Sequence, residues 1–234
     1  MKKIIFSMIM ALPVLLLGSC EKESEGLTRI TYYPVLTLDG DETVIVNKGG
    51  SFVEPGFSAI LNGEDVSSEV VVKDNIDSST SGVYSVNYKI TNSDGFSSTA
   101  SRTIIVLDAT DPVEGIYVTD SKSYRDYNGN KVEYGKEFEF LVFNRGTYYE
   151  FNDLFAGWYE QRAGYGSNYA MTAEVTLADD GTMTLVDSFL KGWGDSANGL
   201  GAGSKYDFTN HKFTYSVGYS EDPEMFFYIT ATKK

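Results

Sequence analysis

From Ile30 onward the chain alternates short apolar runs with turn residues at intervals of about 8–12 positions, the rhythm of an all-β protein. Residues 32–38 and 43–46 are predicted strands, closed by Asp39-Gly40 and by Asn47-Lys48-Gly49-Gly50. Asn62-Gly63, Asp74-Asn75 and Asp94-Gly95 mark further turns, where glycine or asparagine accepts the positive φ that such turns require. The clearest hairpin pairs residues 83–90 with 97–107. In its first arm Tyr84, Val86, Tyr88 and Ile90 alternate with Ser85, Asn87 and Lys89, so one face is apolar and the other wet. In its second arm residues 104–107 are continuously apolar, which predicts a strand covered on both faces.

A polar stretch, Asp108-Ala109-Thr110-Asp111-Pro112, interrupts this pattern and ends in a proline that cannot extend a ladder. It divides a domain at 30–108 from one at 113–234. The second domain is again strand-rich, with predicted strands at 115–121, 124–127, 132–143, 148–151, 171–177, 182–186, 213–217 and 225–232. Asn128-Gly129 and Ala178-Asp179-Asp180-Gly181 are hairpin signals. Roughly eight or nine strands fit an antiparallel barrel or a closed sandwich.

The first 20 residues follow another rule. Lys2 and Lys3 precede an apolar run over 4–17 that is too short to span a bilayer comfortably, and small residues lead into Cys20. Leu17-Gly18-Ser19-Cys20 resembles the lipobox of bacterial lipoproteins. The resemblance implies cleavage after residue 19, acylation of Cys20 and attachment to a membrane through lipid. The acidic tract Glu21-Lys22-Glu23-Ser24-Glu25 resembles the export signal of Bacteroidetes surface lipoproteins, which implies an outer-membrane protein facing the cell exterior. Residues 20–29 then read as an acidic tether.

Gly50-Ser51, Glu54-Pro55-Gly56-Phe57, Gly82-Val83-Tyr84-Ser85-Val86-Asn87-Tyr88, Asp94-Gly95 and Arg102-Thr103-Ile104-Ile105-Val106 together resemble a bacterial immunoglobulin-like domain. The resemblance implies a seven-strand sandwich without the antibody disulfide, and a spacer rather than a binding role. Gly115-Ile116-Tyr117 and the terminal run Phe226-Phe227-Tyr228-Ile229 resemble a calycin-type barrel. They also resemble the C-terminal domain that uncharacterised Bacteroides lipoproteins pair with the Ig-like module.

Charge and composition narrow the partners. Loss of residues 1–19 removes Lys2 and Lys3 and leaves 17 basic against 33 acidic residues, a charge of −16. Such a surface repels nucleic acid and anionic headgroups but admits neutral glycans, cations and basic proteins. The single cysteine has no partner within the chain, so stability falls to packing, for which 17 Tyr and 14 Phe provide the material.

Two glycine- and aromatic-rich loops carry both tryptophans, one over 155–169 and one over 190–203. Trp158, Tyr159, Tyr165, Tyr169 and Trp193 are the candidate floor of a polysaccharide or oligosaccharide site, with Gln161, Arg162, Asn168 and Asp195 at its rim. Sugar rings stack their C–H faces on such rings while polar side chains take the hydroxyls. The competing expectation is that these aromatics plug the end of the barrel.

Other chemistry is poorly supplied. Asp126, Asn128, Asn130 and Glu137 occupy ligand positions of an EF-hand-like loop, but Lys131 stands where its glycine must be. A simple hairpin explains the same residues, and no metal or cofactor is implied. His211, the only histidine, lies in a turn-like stretch, and no serine-triad or zinc arrangement is present. The expectation is a non-catalytic surface lipoprotein that captures glycans as an accessory to outer-membrane transport proteins. A structural or adhesive protein and a carrier of small apolar ligands are the alternatives.

Overall fold

A computed structural model describes residues 30–234. The signal segment 1–19, Cys20 and the tether 20–29 lie outside the described residues. Seven strands form the first domain: β1 (Val35–Leu38), β2 (Thr43–Asn47), β3 (Phe57–Leu61), β4 (Glu64–Asp65), β5 (Val71–Asp74), β6 (Gly82–Thr91) and β7 (Ser97–Leu107). They make two sheets, ordered β1-β3-β4 and β2-β7-β6-β5, with β2 parallel to β7. The β6–β7 hairpin runs in unbroken register from Gly82↔Val106 to Thr91↔Ser97. As the alternation requires, Val86, Tyr88 and Ile90 point inward while Asn87 and Lys89 face water. With Val46, Ile104 and Val106 the first two form the sandwich core, flanked by Leu36, Leu38 and Phe57.

Arg102 fastens the open edge of this sandwich. Its side chain is fully buried on β7. Nη2 donates to the carbonyls of Asp39 at 2.8 Å and Gly56 at 3.3 Å, and lies 3.3 Å from Glu54 Oε1. Nη1 donates to the carbonyl of Asp41, and the Tyr88 hydroxyl donates to the other Glu54 oxygen. One guanidinium therefore holds the β1–β2 connection and the approach to β3 against β7. The Glu54-Pro55-Gly56-Phe57 and Arg102-Thr103-Ile104 signatures are two halves of this contact.

The apolar run 104–107 is covered on both sides, and the second cover is the other domain. Ile104 and Val106 face the sandwich core, whereas Ile105 and Leu107 pack with Phe143, Ile116 and Leu141. Glu114, also buried, accepts the N–H of Asp108 at 2.6 Å and of Asn144 at 2.9 Å. Asp111 accepts from Val113, Glu114 and the Asn144 amide. Arg145 donates to the carbonyl of Ser81 across the joint at 2.6 Å. The polar stretch 108–112 is a locked corner.

Eleven strands build the second domain, more than the pattern predicts. They are β8 (Gly115–Thr119), β9 (Tyr124–Tyr127), β10 (Asn130–Glu133), β11 (Glu139–Asn144), β12 (Tyr149–Phe151), β13 (Met171–Leu177), β14 (Met183–Leu190), β15 (Ala197–Leu200), β16 (Lys205–Asp207), β17 (Lys212–Tyr219) and β18 (Asp222–Lys233). The sheet runs β10-β9-β18-β8-β11-β12-β13-β14, with β17 beside β18 and β15 and β16 beside β17. Residues 132–143 are two strands because Gly135, at φ 78°, turns the chain between them. Asn128 and Gly129 take positive φ and turn β9 into β10, so the EF-hand-like spacing belongs to a hairpin.

Of the two expected forms, a barrel or a closed sandwich, the barrel does not close. Between β14 and the β15–β16 edge the ladder is reduced to isolated bridges at Thr182↔Lys205 and Leu190↔Asp195. The glycines of 192–203 interrupt the strands there, since they weaken a ladder and give it no side chains to pack. Nor is the interior hollow. Tyr117, Phe140, Phe151, Phe213, Phe227 and Tyr206 are fully buried and packed ring against ring, with centroids 4.6–5.9 Å apart for Tyr117–Phe213, Tyr206–Phe213, Phe151–Phe213 and Phe140–Phe151. A calycin-like carrier needs that space empty.

Removing one partner of a buried ion pair strands the other, at a cost of about 3–5 kcal/mol. Arg102→Ala is therefore expected to lower stability by about that amount, and Glu54→Gln by less because Glu54 is partly solvated. Denaturant unfolding followed by far-ultraviolet circular dichroism tests this, since both tryptophans lie in the second domain and would not report the first.

Candidate functional site

One end of the second domain is closed by the loop that follows β12, and a carboxylate inside it sets its path. Asp153 is fully buried. Its Oδ1 accepts the N–H groups of Phe155 at 3.0 Å and Met171 at 3.1 Å, and its Oδ2 accepts that of Gly157 at 2.7 Å. The loop carbonyls meet hydroxyls from the walls: Tyr215 to Leu154 at 2.9 Å, Tyr134 to Phe155 at 2.6 Å and Thr119 to Ala156 at 3.0 Å. Loop backbone buried this deeply survives only when its polar groups are paired. Ala156 and Gly157 both adopt positive φ, and a Cβ on Gly157 would stand 2.5 Å from Phe138 Cβ, so only glycine fits.

The chain then makes a π-helical turn, Trp158–Arg162, whose Arg162 N–H reaches the Gly157 carbonyl at 2.8 Å. This turn separates the two aromatic residues at its start. Trp158 enters the core, 3% exposed, against Tyr134 at 5.0 Å and Phe227 at 5.7 Å. Guanidinium groups of Arg162 at 4.2 Å and Arg125 at 5.0 Å lie over its ring. Trp158 is thus part of the plug and not of a binding floor. Tyr159 is also buried but forms the base of a surface cluster. Its ring meets Trp193 edge to face at 4.9 Å and lies nearly parallel to Tyr165 at 6.3 Å.

The second loop supplies the exposed part. Trp193 contacts Tyr169 at 4.9 Å and Tyr165 at 6.0 Å, and Tyr165 contacts Tyr169 at 5.4 Å. Trp193 is 44% exposed and Tyr165 54%, while Tyr169 is half-buried. The Gly192 N–H donates to the Asn168 carbonyl at 2.6 Å, and a Cβ on Gly192 would stand 2.5 Å from the Tyr169 ring. Glycine there lets the two loops touch.

The rim residues separate as well. Asp195 accepts the Tyr219 hydroxyl and anchors the second loop beside the rings. Asn168 is exposed next to Tyr169. Arg162 is exposed but spends Nε on the Tyr134 carbonyl at 3.1 Å and its plane on Trp158. Gln161 leaves the cluster, donating to the Glu139 carbonyl at 2.7 Å. Tyr219, whose ring lies 6.4 Å from Trp193, and Arg125 belong to the site's support and escape sequence reasoning, because each sits in an ordinary strand pattern.

Comparison with known proteins bears on the whole chain. A family model for a bacterial surface protein Ig-like domain matches residues 36–106, and a second, for a C-terminal domain, matches residues 106–233. The crystal structure of the lipoprotein BT2262 from Bacteroides thetaiotaomicron is 35% identical with a TM-score of 0.74, covering 86% of this chain and 100% of that one. The chain belongs to that lipoprotein's family. In this chain a surface Ig-like domain is paired with a C-terminal β domain. Two Clostridium perfringens ZmpB structures also align. One, of CBM51-2 with GlcNAc and INT domains, is 21% identical with a TM-score of 0.27, over 49% of this chain and 30% of that one. The other, of the M60 catalytic domain with CBM51-1 and CBM51-2, is 20% identical with a TM-score of 0.28, over 51% and 15%. Both likenesses are too slight to bear on fold or function. No protein of curated function matches.

Asp153 gives the plug a pH signature. Burial pushes its carboxyl up to about 7, against the pull of its three backbone donors. A carboxyl whose folded pKa exceeds its unfolded one binds protons more readily when folded, so its share of stability grows as pH falls from about 7 towards 4. Asp153→Asn abolishes that titration and presents an amide N–H to the Gly157 donor, at a cost of about 1–3 kcal/mol. Melting temperatures of the two proteins between pH 4.5 and 7.5 should therefore diverge as pH falls; parallel curves would contradict the assignment.

Proposed function

We propose that this protein is a lipid-anchored cell-surface receptor for glycans, without catalytic activity, serving an outer-membrane uptake system. The observation that carries the reading is the convergence of Trp193, Tyr165 and Tyr169, from two separate loops, into one exposed aromatic platform over Tyr159. Edge-to-face packing fixes the rings relative to one another, so little side-chain freedom remains to be lost on binding. Asn168 and Asp195 at its margin offer the donors and acceptors that hydroxyl groups need. A net charge of −16 for residues 20–234 favours a neutral ligand.

Attachment follows from the lipobox-like Leu17-Gly18-Ser19-Cys20 and is supported by the lipoprotein relative. Diacyl or triacyl modification of Cys20 would hold the protein at the membrane, with the acidic tether and the Ig-like domain carrying the platform outward. Because the domain joint is packed and hydrogen-bonded, the Ig-like domain acts as a rigid spacer.

The two tryptophans make the test direct. Acrylamide should quench Trp193 and spare Trp158, so only part of the emission is accessible. Titration with soluble plant and host polysaccharides should shift the emission saturably, and Trp193→Ala should abolish the shift. Trp158→Ala should instead destabilise the domain by about 3–5 kcal/mol. Affinity measured by isothermal titration that is unchanged in Trp193→Ala would refute the platform as the receptor surface.

A further inference from the structure

Strand β18 faces two ways. Phe227 points inward, beneath Tyr159 and Trp158. Phe226, Tyr228 and Thr230 point to the opposite side, where Tyr228 is 38% and Phe226 39% exposed. A groove of about 280 Å³ lies on that outer side, between β9 and the turn at Ala202–Ser204. None of its lining residues belongs to the Trp193 platform.

The groove has an ordered aromatic wall. The Tyr124 ring stacks on Tyr228 with centroids 4.7 Å apart and planes 18° from parallel. The Lys131 ammonium lies 4.8 Å from the Tyr124 centroid, which fixes the outer ring of the pair. Opposite this wall are hydroxyl groups on paired strands, with Thr214 across from Thr230 and Ser216 across from Tyr228. Among the described residues none of the hydroxyls of Thr214, Ser216, Thr230, Tyr124 and Tyr228 makes a hydrogen bond, whereas the neighbouring Ser123 and Ser204 hydroxyls are engaged with the backbone. A rigid surface that carries five uncommitted hydroxyls beside a flat ring is matched to a ligand with an apolar face and many hydroxyls of its own. Charge around it is balanced: Lys122 pairs with Glu133 at 3.0 Å, and Asp120 stands alongside.

We propose that this groove is a second carbohydrate site, taking a neutral sugar whose ring stacks on Tyr228. Phe226 stands two residues further along the same face, roughly 7 Å away, and extends the wall for a following ring of the chain. The site stands on different residues from the Trp193 platform, so either reading survives the failure of the other. Together they would let one molecule grip a polysaccharide at two points, raising avidity without new contacts.

Isothermal titration of the purified protein with neutral polysaccharides, and with soluble oligosaccharides cut from them, tests the assignment. Tyr228→Ala should weaken binding about tenfold, while Tyr228→Phe, which keeps the ring, should stay within about twofold. Thr214→Val with Thr230→Val keeps the sheet and removes two hydroxyls, and should weaken binding likewise. Trp193→Ala with Tyr228→Ala should lose more than either change alone. If Tyr228→Ala folds and binds every glycan as the parent does, the second site is refuted while the platform stands. If Trp193→Ala is silent and Tyr228→Ala is not, the platform falls and the groove stands. If both are silent, both readings fall.

Discussion

Asp153 is fully buried, with three backbone N–H groups directed at it. Removing a carboxylate from water is expensive, and the chain offsets this only by bending back to surround the group. That bend makes Ala156 and Gly157 adopt positive φ, starts the π-helical turn and delivers Trp158 and Tyr159 to opposite sides of the plug. The Met171 N–H brings the start of β13 to the same carboxylate. Both ends of the first aromatic loop are therefore pinned to one point, and the ring cluster over Tyr159 inherits its rigidity from a fully buried residue.

A comparable economy governs the first domain and its joint. Without a disulfide, the sandwich edge is closed by Arg102, whose donors satisfy carbonyls that would otherwise be orphaned. The next residues of the same strand turn Ile105 and Leu107 to the neighbouring domain. β7 thus carries the core of one domain and the contact face of both. Mechanical coupling between the Ig-like domain and the C-terminal domain runs through this strand and through Glu114, with few degrees of freedom left in the linker.

The large aromatic complement divides by task. Rings such as Phe140, Phe151 and Phe213 fill the curled sheet and leave no chamber for an apolar cargo. Among the exposed rings of the second domain, Trp193 and Tyr165 form an array on loops, and Tyr228 and Phe226 form one on a strand. Both present flat faces beside hydrogen-bonding groups, on a protein whose acidity excludes polyanions. Non-catalytic recognition of neutral sugars is the role proposed for both.

Local pattern alone determined a good deal. Alternation at Tyr84–Ile90 and the turn pairs at Asn128-Gly129 and Asp94-Gly95 specified strands and hairpins, because side-chain period and positive φ are properties of neighbouring residues. The continuous run at 104–107 announced two-sided burial, though not that a second domain supplies one side. Tertiary structure decided whether the sheet closes, since closure depends on whether 192–203 can pair with β14, a long-range matter. It also decided the fates of Trp158 and Trp193. Both stand beside glycine in aromatic loops, and the sequence around them reads alike. Only the buried carboxylate of Asp153, which turns one inward, and Gly192, which lets the other loop rest on Tyr169, make one a core residue and the other a surface.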